Sequence, residues 1–111
     1  MSRWRDVTDR LKDGHHARSS KWRGVRDNFL QGRVCAICER RNYLVAHHIV
    51  PFSIAPEFEL EPDNLMALCE GGKYGIKSCH QLFGHLGNWR RFNPHVRATV
   101  LYWNALLKDK L

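Results

Sequence analysis

The chain has 111 residues, enough for one domain with a modest core and near the size at which small proteins recruit a metal, disulfides or a partner. Its 18 Lys/Arg stand against 11 Asp/Glu, unevenly distributed: residues 1–41 carry 11 against 5, and residues 42–111 carry 7 against 6. A first part of net charge +6 points to a polyanionic partner, nucleic acid before an acidic membrane surface, with a merely solvated basic face as the alternative.

No stretch approaches the roughly 18 apolar residues of a membrane span, and the opening "MSRWRDVTDRLKDGHH" lacks the apolar centre of a secretory signal. The expectation is a soluble, intracellular protein without a membrane partner. In a reducing compartment its four cysteines favour metal ligation over two disulfides.

Residues 1–18 are polar and basic without apolar periodicity, and read as an arm or a frayed helix; His15 and His16 fall here with no assignable role. "SSKWRGVRDNFLQG" then places a capping serine before Trp22, Val25 and Phe29 at helical spacing, with Gly32 as the stop. The spacing predicts a short amphipathic helix whose aromatic residues face the core. "VCAICERRNYLVAHHIVPF" reads as a cysteine knuckle leading into a β-hairpin, with "ERRN" at the turn and "YLVAHHI" as a strand ended by Pro51.

After a loop containing "APEFELEPDN" comes a short apolar segment, "LMALC". The glycine-containing insert "EGGKYGIKS" separates it from "CHQLFGHLGNW", helical at first and broken by Gly84 and Gly87. In the tail, Asn93 is placed to cap a helix with Pro94 at its first position. Val96, Val100, Trp103 and Leu107 follow as one apolar stripe.

Cys35-x2-Cys38 is a zinc half-site by spacing, because two thiolates separated by two residues fold onto one face of a metal. Cys69 and Cys79 are the other two cysteines, nine residues apart, a gap that a glycine-containing loop can bridge. The expectation is a structural Zn2+ held by all four. Four reduced cysteines of which some are merely buried, or a mixed site using a histidine from residues 47–48 or 80, are the alternatives.

His47 and His48 are adjacent on the expected strand, where side chains alternate between faces, so they call for different partners: one can bind a metal while the other acts as a base. Asn64 follows, and then His80 directly after Cys79. With "CAIC", "AHHIVPF", "DNLMALC" and "CHQLFGH" in this order over residues 35–85, the chain resembles the HNH endonucleases. "CHQLFGHLGNWRRFNP" looks like sequences of bacteriophage and bacterial genomes.

The resemblance implies an α+β fold, with a small ββα-metal core that is treble-clef-like, zinc-stapled and flanked by N- and C-terminal helices. The core would span about 34–88 within a nuclease domain of 19–111, followed by a helix over about 94–109. It implies a DNA endonuclease in the cytoplasm of a bacterial or phage-infected cell.

By residue, His47 resembles the metal ligand that ends the strand and His48 the general base. Asn64 resembles the residue that braces the loop and orients that base, and His80 the second metal ligand. Several members carry a further ligand four residues after the His80 position. Here Gly84 stands there, and His85 lies about 100° further round a regular helix. His85 then reaches the metal through a distorted helix, contacts DNA, or packs structurally.

This division of labour suits phosphodiester hydrolysis, which requires an activated nucleophile and stabilised charge on the phosphoryl and leaving oxygens. A neutral imidazole of ordinary pKa accepts a proton near neutrality. Imidazole ligation suits Zn2+, Ni2+, Co2+ and Mn2+ better than Mg2+, and the resemblance implies tolerance of several divalent ions at the catalytic site. Arg23, Arg26, Arg90 and Arg91 would track phosphates without reading sequence. A phage packaging or recombination protein is a further partner to expect, around a monomer or a dimer. The competing function is a non-catalytic zinc module that binds nucleic acid or protein.

Overall fold

The structure, a computed structural model, describes residues 18–71 and 78–109. The expected basic arm up to residue 17, with His15 and His16, and the insert over 72–77 lie outside the described residues. The described chain is a small α+β unit: helix α1 (Trp22–Leu30), strand β1 (Leu44–His48), two 3-10 turns (Pro56–Phe58 and Pro62–Asn64), strand β2 (Leu65–Cys69), a π-helical turn (His80–Gly84) and helix α2 (Val96–Asp109).

Helix α1 starts where the Ser19 hydroxyl oxygen accepts the Lys21 N–H at 3.1 Å, so the serine acts two residues outside the cap position, which is Lys21. It stops before Gly32, whose φ of +74° is the left-handed conformation that glycine adopts without a Cβ clash. No residue of α1 is fully buried. Trp22, Val25 and Phe29 are half-buried, which corrects the expectation that the aromatic pair enters the core. The helix instead lies against β1, and the space behind the sheet belongs to the cysteines and α2.

The expected hairpin is also corrected. β1 pairs antiparallel not with the cysteine knuckle but with β2, in the register Leu44↔Cys69 to His48↔Leu65. Residues 33–43 contain no strand because the knuckle closes on itself: Cys35 N–H donates to Arg40 O and Glu39 N–H to Cys35 O, each at 2.9 Å. Glu39 there adopts a φ of +64°. The knuckle then docks on β2 through Ala36 N–H to Ala67 O at 2.9 Å. Flanked by β1 and the knuckle, β2 is buried at all five positions, which explains why it reads as a continuous apolar run rather than an alternating one.

Cys35, Ile37, Cys38, Leu68, Cys69, Cys79 and Val96 are essentially inaccessible and form the centre of the core. Helix α2 closes it with Val96 and Val100, while Trp103 and Leu107 pack at the margin as the stripe predicts. Burying each valine contributes on the order of 1.5–3 kcal/mol. The Asn93 cap is present: its Oδ1 accepts the His95 N–H at 2.9 Å and its backbone oxygen the Val96 N–H at 3.2 Å. Asn104 Nδ2 donates to Ile37 O at 2.9 Å and ties the helix to the knuckle. Among the described residues, no helix is long and apolar enough to cross a membrane.

Candidate metal centre and active site

The knuckle, the end of β2 and the start of the π turn bring the sulfurs of Cys35, Cys38, Cys69 and Cys79 within 4.8 Å of one another. All four thiols are free and buried. Cys38 Sγ and Cys69 Sγ are 3.6 Å apart, and tetrahedral zinc with Zn–S bonds of about 2.3 Å separates its sulfurs by about 3.8 Å. The nine-residue gap between Cys69 and Cys79 is closed locally by Ser78, whose hydroxyl donates to Cys69 O at 3.3 Å and accepts the Gln81 N–H at 3.1 Å. The long insert therefore leaves the second pair of sulfurs beside the first.

A hydrogen bond from the Cys79 thiol holds Cys35 down to about 4, whereas burial pushes Cys38 up to about 11. Cys79 is raised by that same bond and then by burial. Four ionised sulfurs at this spacing require a dication among them, and a soft tetrahedral ion fits the donor set.

A second cluster is made by His47, His80 and His85, whose ligand atoms also lie within 4.8 Å of one another. The rings meet edge-on, with centroids 5.0 Å apart for His47 with either partner and 4.8 Å for His80 with His85. His80 Nδ1–H donates to Glu70 Oε1 at 2.6 Å, and His85 Nδ1–H donates to Arg91 O at 2.7 Å. Those bonds leave lone pairs on the two Nε2 atoms, which face each other at 3.2 Å.

Two lone pairs at that distance repel unless a proton or a cation sits between them. Ligand bonds of about 2.0–2.1 Å place two nitrogens roughly 2.9–3.4 Å apart around a metal, from octahedral to tetrahedral angles. His47 Nε2 is buried and has no hydrogen-bond partner, which a metal would supply. Burial, with added repulsion from His80 and His85, lowers the His47 pKa to about 3, and burial lowers that of His80 against the pull of Glu70. Both rings are therefore neutral and ligand-ready near neutrality.

The inclusion of His85 follows from the π turn. His85 N–H donates to His80 O at 3.2 Å, a bond spanning five residues. The wider turn brings residues five apart onto one side, which removes the angular offset of a regular helix. Gly84 permits the packing: a Cβ there would lie 3.0 Å from His47 Cε1 and 3.2 Å from each of that ring's nitrogens. The position that looked like a missing ligand is thus the floor on which the His47 ring rests.

His48 has different partners. Its Nε2–H donates to Glu59 O at 2.9 Å, so its lone pair is on Nδ1, where Arg18 Nη1 donates at 3.2 Å. The Trp22 ring lies 4.5 Å from the imidazole. The Arg18 guanidinium packs against Trp22 and Phe52, 5.1 and 4.9 Å from their ring centres, and pairs with Glu59 Oε2 at 4.0 Å. The buried Glu59 carboxylate also accepts the Ser19 N–H through both oxygens. Burial, and secondarily the Arg18 charge, lowers the His48 pKa against the opposing bond to Glu59 O.

The hydrogen bonds of the Asn64 side chain go to the backbone on either side of His48's partners rather than to the imidazole. Asn64 Oδ1 accepts the Val50 N–H at 2.9 Å, and its Nδ2 donates to Val50 O at 3.1 Å and to Phe58 O at 3.3 Å. It therefore braces both the residues after His48 and the turn that presents Glu59 O.

His47 and His48 nevertheless reach one cavity of about 230 Å³, which Arg18, His80, His85 and Trp89 also line. A larger cavity of about 380 Å³ beside α1 is lined by no histidine, cysteine or acid. Arg90 and Arg91 follow Trp89 in the chain and are exposed, outside the cavity lining. Arg23 and Arg26 lie on α1 outside the cavity lining, and Arg26 pairs with Asp27 at 3.0 Å.

Arg18, Glu59, Glu70 and Trp89 are the site residues that sequence reasoning missed. Glu70, directly after Cys69 and ten residues before His80, carried the one usable signal: a carboxylate near a candidate ligand. Comparison of the chain with family models, curated proteins and solved structures finds no match.

Proposed function

We propose that the protein is a metal-dependent DNA endonuclease of the HNH type, hydrolysing phosphodiester bonds on a ββα-metal core stapled by zinc at Cys35, Cys38, Cys69 and Cys79. The observation that carries this reading is the pairing, in one cavity, of a histidine cluster whose free nitrogens converge with a separate neutral histidine whose tautomer is set by Glu59 O.

A divalent ion bound by His47, His80 and His85 would neutralise charge on the scissile phosphate and the leaving 3′-oxygen. The protein's own groups supply the rest. Glu70 and Arg91 O hold the ligand tautomers, and Gly84 gives the His47 ring its seat. His48 Nδ1 accepts a proton as water oxygen bonds to phosphorus and the phosphorus–oxygen bond to the leaving group breaks. Arg18 donates to that lone pair; a phosphate is the stronger acceptor for its guanidinium and would free Nδ1. Asn64 keeps His48 and Glu59 O in register through Val50 and Phe58.

A zinc module without catalysis accounts for the cysteines but leaves the buried, unpartnered His47 Nε2 and the facing His80 and His85 nitrogens without a purpose. The test is plasmid cleavage with Mg2+, Mn2+, Co2+, Ni2+ or Zn2+. His47→Ala and His80→Ala should abolish cleavage and retain zinc on the cysteines. Wild-type protein carrying both metals but inert with every ion would overturn the reading.

A further inference from the structure

Trp89 is half exposed, at 53 %, although its ring packs against those of His80 and His85. One side of its indole covers His80 and His85, at ring-centre distances of 5.0 and 4.8 Å, and the remainder faces solvent at the mouth of the cavity. Its position is built by the local chain rather than left loose. Leu86 and Gly87 adopt left-handed φ values of +54° and +77°, and Asn88 N–H donates to His85 O at 3.0 Å. Asn88 Oδ1 then accepts the Arg90 N–H, and Asn88 O the Arg91 N–H, each at 2.9 Å.

We infer that Trp89 is a stacking platform for an unpaired nucleobase beside the scissile phosphate, which makes single-stranded DNA, or a flap or frayed end, the substrate in preference to intact duplex. The inference rests on the nuclease reading of the cavity and names its substrate class. Three observations favour this occupant. An indole held half in water forgoes much of its burial energy, which suits a surface that gains a partner. Arg18 lines the same cavity and the exposed Arg90 and Arg91 follow Trp89 in the chain, an aromatic and cationic combination suited to a single strand. The platform also adjoins the ligand rings, so a base stacked on it belongs to a nucleotide next to the phosphate at the metal; in duplex DNA that base's faces are already covered by its neighbours.

The test uses the zinc-loaded full chain carrying His48→Ala, so that binding is read without cleavage, with labelled oligothymidylate and a hairpin duplex as probes. Fluorescence anisotropy should show tighter binding of the single strand. Trp89→Ala should weaken single-strand binding on the order of tenfold to a hundredfold with little change for duplex, and Trp89→Phe should recover most of the loss. Equal losses on both probes, or no loss, would overturn the inference. So would a loss that tracks lower Ni2+ binding, since Trp89 would then be a shield for His80 and His85. If the single-strand effect appears but wild-type protein cleaves neither probe with any divalent ion, the platform stands and the nuclease reading falls.

Discussion

Alanine at position 84 separates a glycine needed for packing from one that merely ends a turn. Gly84 does not have a positive φ, so alanine is conformationally allowed, and a glycine with free space around it would gain about 0.5–1 kcal/mol of stability on substitution. Here the new methyl would stand 3.0 Å from His47 Cε1. Restoring an ordinary carbon–carbon contact of about 3.5 Å requires the ring to recede by roughly 0.5 Å, more than the ~0.2 Å latitude of a metal–nitrogen bond.

Gly84→Ala should therefore cost about 1–3 kcal/mol through overpacking and lower Ni2+ or Co2+ affinity at the histidine cluster by about tenfold to a hundredfold, leaving one zinc on the cysteines. Titration calorimetry on zinc-loaded protein, with denaturant unfolding in parallel, reads both numbers. A variant more stable than wild type with unchanged Ni2+ affinity would refute the packing of His47 on Gly84 and with it the geometry of the cluster.

Glu70→Gln keeps the shape but weakens the carboxylate's hold on His80 Nδ1; calorimetry should show about tenfold to a hundredfold weaker binding at the histidines and intact zinc on the cysteines. Cys35→Ser should unfold the chain, because binding of structural zinc is worth on the order of 10–16 kcal/mol; retained zinc and an unchanged Tm would contradict the assignment. His47 gives a pH dependence. Its folded pKa, about 3, lies below the ordinary value of 6.5, so stability is full above about pH 6.5 and is lost as pH falls toward 3. At about pH 4.5 the cost is about 3 kcal/mol relative to neutrality. In protein carrying only the structural zinc, His47→Gln should remove that part of the acid sensitivity, and parallel pH–stability curves would show that His47 does not carry it.

What could be read from the chain was what depends on short spacing. Two cysteines separated by two residues, adjacent histidines on a strand and a cap followed by an apolar stripe are local patterns, and each maps onto an observed element. The partner of β1 was not legible, because "LMALC" and the knuckle are both short apolar segments and only tertiary packing decides which pairs with it. The π turn was equally hidden: His85 looked misplaced by one residue until a five-residue hydrogen bond brought it beside His80. Arg18 had been grouped with the basic arm by composition, yet its guanidinium sits on His48 because Trp22, Phe52 and Glu59 converge there from separate parts of the chain.

The most direct measurement is single-turnover cleavage of a labelled DNA strand by wild type and His48→Ala, each shown to be folded, zinc-loaded and carrying Ni2+ or Mn2+ at the histidine cluster. A metal-dependent cut by wild type and a loss of rate on the order of 10²–10⁴-fold in His48→Ala, with both metals retained, is the predicted result. Equal rates in the two proteins would contradict the division of labour between His47 and His48.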